Sequence, residues 1–287
     1  MCIRDSSQCE FTHNTAGYSG AGLCVGENAS AAVEDCVFSY NEASTGGGLC
    51  TYGTSLTVED CRFGHNNGPQ GGGGAKVDHS PAHFVRCEFL SNWANWGGAV
   101  DLWGGRHSIL EYCTFSYNMA SFEGGAVGGN ATHAELAHCT LAYNEASDGA
   151  AATCFYGYLE FRNCVVAFNG PGEGVNCYWQ PSSGCDCAAS LQCCNIYGNT
   201  NGDWVGFIED QLGEFGNISM DPLFCLDDNP DEPYTLDWRS PCAAYSAPNG
   251  ECDQIGAWGV ACGPSTGLEG GQEAETSWGL IKAMYRP

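Results

Sequence analysis

Basic residues are scarce in this chain: nine lysines and arginines stand against 34 aspartates and glutamates, a formal charge of −25. Binding nucleic acid needs a basic footprint, so that class of partner is excluded. Long apolar runs are missing too. No stretch approaches the roughly 18 apolar residues of a membrane span, and Met1 to Ser7 has neither the apolar region nor the cleavage site of a signal peptide. What the chain has in quantity is glycine, 41 residues, and cysteine, 20 residues, and both recur with a period.

The repeat is a CxFxxN box. It is read as Cys9/Phe11/Asn14, Cys36/Phe38/Asn41, Cys61/Phe63/Asn66, Cys87/Phe89/Asn92, Cys113/Phe115/Asn118, Cys139/Leu141/Asn144, Cys164/Val166/Asn169 and Cys194/Ile196/Asn199. Successive box cysteines lie 27, 25, 26, 26, 26, 25 and 30 residues apart, and a fixed period of this size means a solenoid. Each period holds short apolar runs bounded by Gly, Asn or Ser and lacks helical spacing, so the coils are built of strands that pair in parallel, rising ~4.8 Å per coil. An all-β parallel β-helix of about 25 residues per coil follows. Within a box, Cys and Phe point inward. The asparagines Asn14, Asn41, Asn66, Asn92, Asn118, Asn144, Asn169 and Asn199 are expected to sit at a turn in left-handed backbone and to bond to one another as a ladder. Gly46 to Gly48, Gly72 to Gly74, Gly97/Gly98 and Gly124/Gly125 mark a second corner, where φ is positive or a Cβ does not fit.

The paired GGA(V/L) and FxxN motifs resemble the repeats of right-handed parallel β-helix proteins of the pectin-lyase-like fold, and most of all the polymorphic outer-membrane-protein type of bacterial surface and secreted passengers. The resemblance covers residues 9 to about 200. It implies the fold and an extracellular or bacterial cell-surface setting, and it does not imply catalysis. The sequence CCNIYGNTNGDW through DPLF, YTL, SPC and IGA, ending near Gly263, resembles the closing module of secreted bacterial β-helix proteins. The division expected is 1–8 as a truncated or non-native start with the export signal missing, 9–200 as repeat coils, 201–263 as about three terminal coils and a cap, and 264–287 as a linker and tail. A monomer is expected. The tail, with Trp278, Ile281 and Tyr285 at helical spacing, is read either as a sorting or anchoring signal or as a helix docked on the last coil.

The cysteines fall into classes. The box cysteines are read as buried free thiols, because parallel rungs hold Cβ atoms nearly as far apart as the coils, beyond the usual disulfide value of ~3.8 Å. Cys24 and Cys50 form a second, shorter stack. Cys177, Cys185, Cys187 and Cys193 match no common zinc spacing and are read as loop disulfides; Cys225, Cys242, Cys252 and Cys262 are expected to pair among themselves in one of three ways. No metal or other cofactor is expected, with Ca²⁺ entertained only at the acidic run Asp227, Asp228, Asn229, Asp231, Glu232, which lacks an EF-hand pattern.

Two functions from different classes stand. The first is a non-catalytic adhesin-like or structural protein that binds an extracellular glycan or surface partner, with Trp93, Trp96 and Trp103 as a sugar-stacking platform; against this stands the plainer reading, that the rings cover the outer face or fill a corner. The second is a polysaccharide lyase or glycoside hydrolase using Asp78, Asp101, Arg106 and His107, with His79 alongside. The motifs of polygalacturonase-like proteins are absent in register, and the charge of −25 weighs against a polyuronate substrate.

Overall fold

A computed structural model describes residues 5–27, 30–104, 106–178, 187–225 and 234–263. Cys185, the acidic run 227–232 and the tail 264–287 lie outside the described residues. One coil shows the construction. His107–Glu111 belongs to sheet 1, Thr114–Ser116 to sheet 2, Met119–Glu123 to sheet 3 and Val127–Asn130 to sheet 4, and His133–Ala137 then returns to sheet 1 one rung on. Sheets 1 and 2 have eight strands, sheet 4 has seven and sheet 3 has five, each paired in parallel to the equivalent strand of the coils before and after. Period-2 alternation turns one set of side chains inward: Leu56 and Val58, Ala82 and Phe84, Ala134 and Leu136 along sheet 1, for example.

The box behaves as its sequence implies. Phe11, Phe38, Phe63, Phe89 and Phe115 stack ring on ring at 4.7 to 4.9 Å, and Leu141, Val166 and Ile196 continue the column. The eight box cysteines are free thiols, seven of them buried, and their Sγ atoms donate to backbone carbonyls, as Cys113 does to Phe84 and Glu111.

The asparagine ladder is continuous. Each side-chain Nδ2 donates to the Oδ1 of the next coil's asparagine at 2.9 to 3.0 Å, from Asn14 through to Asn199. From Asn41 onward the same Nδ2 also donates to a carbonyl of the coil before, Asn118 to Phe89 O at 2.9 Å. The ladder ends where Asn199 donates to the carboxylate of Asp203 at 2.9 Å. A carboxylate accepts and cannot donate, so it terminates a chain of asparagine-to-asparagine bonds that all run towards the C-terminus.

One expectation at this corner is corrected. The left-handed residue is not the asparagine but the one before it: φ is 53° at Tyr117, 58° at Tyr143 and 60° at Phe168. The asparagine must aim its amide along the coil axis, and the reversal of direction therefore falls on its predecessor, whose ring is thrown outward. Those rings stack in turn, Tyr117 on Tyr143 at 5.4 Å and Tyr143 on Phe168 at 5.2 Å. The glycine corner is as expected. At Gly97, φ is 56° and an added Cβ would fall 2.4 Å from Val100 O.

Beyond Asn199 the described residues form a 3₁₀ helix, Gly206–Gln211, bridges of Ile218 to Asn195 and of Phe224 to Leu236, and a short parallel pair of strands, Leu236–Asp237 and Val260–Cys262. The chain here runs back along the outer face of sheet 2. Gly256 N donates to Asn163 O, Ala257 N to Thr140 Oγ1 and Trp258 Nε1 to Thr114 Oγ1. This explains why outward residues of sheet 2 such as Thr114, Thr140, Ala142 and Val165 are buried. Disulfides Cys193–Cys252 and Cys225–Cys262 tie the segment down. The expected pairings are corrected accordingly: Cys252 leaves its quartet for Cys193, Cys242 is a free thiol beside the Asn195 amide, and Cys177 and Cys187 are free and buried. Cys177 lies in register with Cys154, and Cys187 donates to Cys154 O; all three belong to the apolar core.

Replacing Asn118 by leucine leaves two donors of Asn92 and the carbonyl of Phe89 unsatisfied in the core, at about 1–3 kcal/mol for each buried group. Replacing Asp203 by alanine affects only the partly exposed end. In urea unfolding Asn118→Leu is expected to lose at least twice the stability that Asp203→Ala loses; equal losses would contradict the ladder's role.

Candidate functional site

The outward face of sheet 4 carries two rows of side chains in register. The first runs Cys24, Cys50, Lys76, Asp101, Gly128, Thr153 and Asn176; the second runs Tyr52, Asp78, Trp103, Asn130, Phe155 and Tyr178. Beside them, on sheet 3, Trp96 is the register partner of Glu123, and Glu123 bridges to Asp148. A register shift helps place that pair: Ala94 opposes Ala120, yet Trp96 opposes Glu123, one residue further along.

Between the two sheets lies a cleft of about 390 Å³. Trp96, Trp103 and Phe155 supply its aromatic surface, Gln70, Asn130 and Thr153 its neutral polar groups, and Lys76, Asp101 and Glu123 its charges. Gly128 and Gly129 also line it. Gly128 occupies the Asp101 row without a side chain because the Gly97 backbone closes on it, an added Cβ falling 2.9 Å from Gly97 N.

Lys76 and Asp101 form a buried ion pair, 8% and 5% exposed, and the Lys76 ammonium also lies 5.0 Å from the centre of the Trp103 ring. Burial pushes the Asp101 carboxyl up from its ordinary value while the Lys76 ammonium pulls it back. Glu123 is pushed up to about 7 by burial and then by the neighbouring charge of Asp148. A carboxyl at that value exchanges its proton around neutral pH.

The sequence candidates are thus divided. Trp96, Trp103 and Asp101 meet in the cleft, whereas Trp93 lies half-buried at the start of its strand and does not line it. Asp78 follows Lys76 by two residues on the same face but is bonded to the imidazole of His79 at 2.5 Å. Arg106 and His107 are exposed at the corner leading to sheet 1, where His107 faces Glu135 at 3.8 Å and stacks on His133 at 4.5 Å. The four catalytic candidates do not form one site. Lys76, Glu123 and Phe155 were missed. Glu123 and Asp148 could have been found, because each stands immediately before a glycine corner, as Trp96 does. Among the described residues no group of three or more His, Cys, Asp or Glu is placed to hold a metal ion.

A parallel solenoid with this repeat matches the family described as a right-handed β-helix region over residues 1–200. The chain belongs to the right-handed β-helix family. No curated protein and no solved structure gives a significant match to this β-helix. Among the described residues no helix is long and apolar enough to cross a membrane, and the two disulfides fit an oxidising, extracellular setting.

Asp101→Ala strands the Lys76 ammonium in the sheet and is expected to lower stability by about 3–5 kcal/mol, with Lys76→Met/Asp101→Leu recovering most of the loss. Chemical unfolding of the single and double variants checks this; a double variant no more stable than Asp101→Ala would refute it. Glu123 takes up its proton more readily folded than unfolded, so its contribution to stability is greatest below its ordinary value of 4.5 and declines as pH rises to about 7. Glu123→Gln should remove that decline from the stability profile, and an unchanged profile would exclude the assignment.

Proposed function

We propose that this β-helix is a secreted or cell-surface bacterial protein without catalytic activity, adhesin-like in role, that binds an extracellular glycan in the cleft between sheets 3 and 4. The observation that carries the reading is the pair Trp96 and Trp103, 43% and 46% exposed, set on opposite sheets around one polar-floored cleft. Large aromatic faces left open to water cost free energy unless something covers them, and a sugar ring offers an apolar face for the indole together with hydroxyls for Gln70, Asn130 and Thr153. The eight-coil scaffold supplies a rigid base for such a site, since each of its rows is fixed by register.

The rival reading is a glycoside hydrolase. It is favoured by one observation, the near-neutral value of Glu123, which suits a general acid. It needs a second carboxylate free in the cleft; the Asp101 carboxylate there is held by Lys76, and Asp148, beside Glu123, accepts from the Tyr178 hydroxyl and does not line the cleft. That engagement supports binding over turnover.

The test is a panel of oligosaccharides assayed in parallel for binding and for release of reducing or unsaturated ends. Binding without release is expected, with Trp103→Ala weakening it about tenfold, the ~1–2 kcal/mol of a lost stacking contact. Product release abolished by Glu123→Gln would replace the binding reading with the hydrolase; binding untouched by Trp103→Ala would move the site elsewhere.

A further inference from the structure

The cleft already holds one ammonium group, its own. The Nζ of Lys76 is bound by the Asp101 carboxylate and lies over the Trp103 ring, in a chain whose total is only nine basic residues. The same elements recur further along the cleft without a cation. There Glu123 stands in register with Trp96, Asp148 stands beside Glu123, and Phe155 stacks on Tyr178 at 4.3 Å with the rings nearly parallel. Among the described residues neither Glu123 nor Asp148 is paired with a cationic side chain.

Resting on the reading of the cleft as a sugar site, we propose that it selects oligosaccharides bearing free amino groups, unacetylated hexosamines, with the ligand ammonium seated between Glu123 and the faces of Trp96 and Phe155. Carboxylate and aromatic face together are what hold the Lys76 ammonium, and a hexosamine presents that same group on a ring that stacks on indole. A uronic acid would instead bring a third negative charge to Asp101 and Glu123. A neutral or acetylated sugar would stack but leave the Glu123 and Asp148 charges unrelieved. The titratable groups around Glu123 are Asp148 and the Tyr178 hydroxyl, which donates to Asp148 and has Glu173 near it, from the following coils, and Asp101 with Lys76 from the preceding ones. Of these only Lys76 is cationic, and it is already engaged. An arriving ammonium therefore favours ionised Glu123, and its binding below neutral pH displaces a proton from that carboxyl.

Calorimetric titration of the full chain with β-1,4-linked glucosamine tetramer, its N-acetylated counterpart and the glucose tetramer tests this. The amine is expected to bind at least about tenfold more tightly than either of the others, and at pH 6 its enthalpy should vary with the buffer's ionisation enthalpy, the mark of a released proton. Glu123→Gln, with Asp148→Asn as a second variant should the first fold poorly, should abolish the proton release and the preference for the amine. Equal or tighter binding of the acetylated or neutral tetramer overturns the amine selectivity and leaves the sugar reading standing; no binding of any tetramer overturns both. Amine binding that survives unchanged in Glu123→Gln and in Asp148→Asn would reduce the effect to the chain's net charge and refute the proposal.

Discussion

A buried primary amide must use both its donors and its acceptor or destabilise the fold. At the turn after each box that condition is met in one way only: the asparagine bonds to its equivalent one coil away and to a carbonyl of the coil before. Much of the coil geometry follows. The residue before the asparagine is forced into left-handed backbone, its side chain is exposed, and the residue two places beyond is small, Ala43, Gly68, Ala94, Ala120 and Ala146 all being buried against the turn. The asparagine-to-asparagine bonds all point one way along the axis, so the ladder has a polarity. It ends on Asp203, the chemically suited terminator, since a carboxylate accepts several hydrogen bonds and asks for no further acceptor.

The same register that stacks the core also composes the cleft. Residues 25 to 27 apart in sequence become neighbours across a rung, so Lys76 meets Asp101 and Trp96 meets Glu123 without any loop to bring them together. Inward rows are constrained by packing, the Phe column most tightly. Outward rows have no such constraint, and their composition is where one coil can differ from the next. The Lys76–Asp101 pair shows the limit of that freedom: its charges lie deep enough that they depend on each other for solvation.

Much of this was legible in the sequence, for a physical reason. Phe63 and Asn92 recur because a rung repeats its neighbour's environment, and a repeated environment writes a repeated residue. The cleft was only half legible because its residues are the exceptions to the repeat. Trp96 and Trp103 announced themselves by rarity, but Glu123 and Lys76 are ordinary surface types, and Glu123 meets Trp96 only through the register shift at Ala94/Trp96. The grouping of Arg106 and His107 with Asp101 failed because a corner at Gly104 separates them, turning one pair to sheet 1 and leaving the other on sheet 4. The return of Trp258 to Thr114, 144 residues earlier, and the link of Cys193 to Cys252 could not be read, since no periodicity encodes a segment that leaves the solenoid and folds back over it.

That returning segment bears on which faces remain available. It covers the outer side of sheet 2 from Asn195 as far as Thr114, so its buried threonines and valine are closed to a partner. Sheet 1 presents His and Glu pairs such as His83 with Glu111. The junction of sheets 3 and 4 holds the cleft flanked by Trp96 and Trp103, and the uncovered part of sheet 2 holds a second cavity of about 320 Å³ beside Arg62, Glu88 and Tyr117. A concave junction repeated every ~4.8 Å suits a ligand that is itself a repeating polymer, because successive units meet successive rungs. Under the proposed glycan reading, the variation in the outer rows, cation and carboxylate at Lys76 and Asp101, carboxylates at Glu123 and Asp148, would give a chain of sugars a direction along the axis.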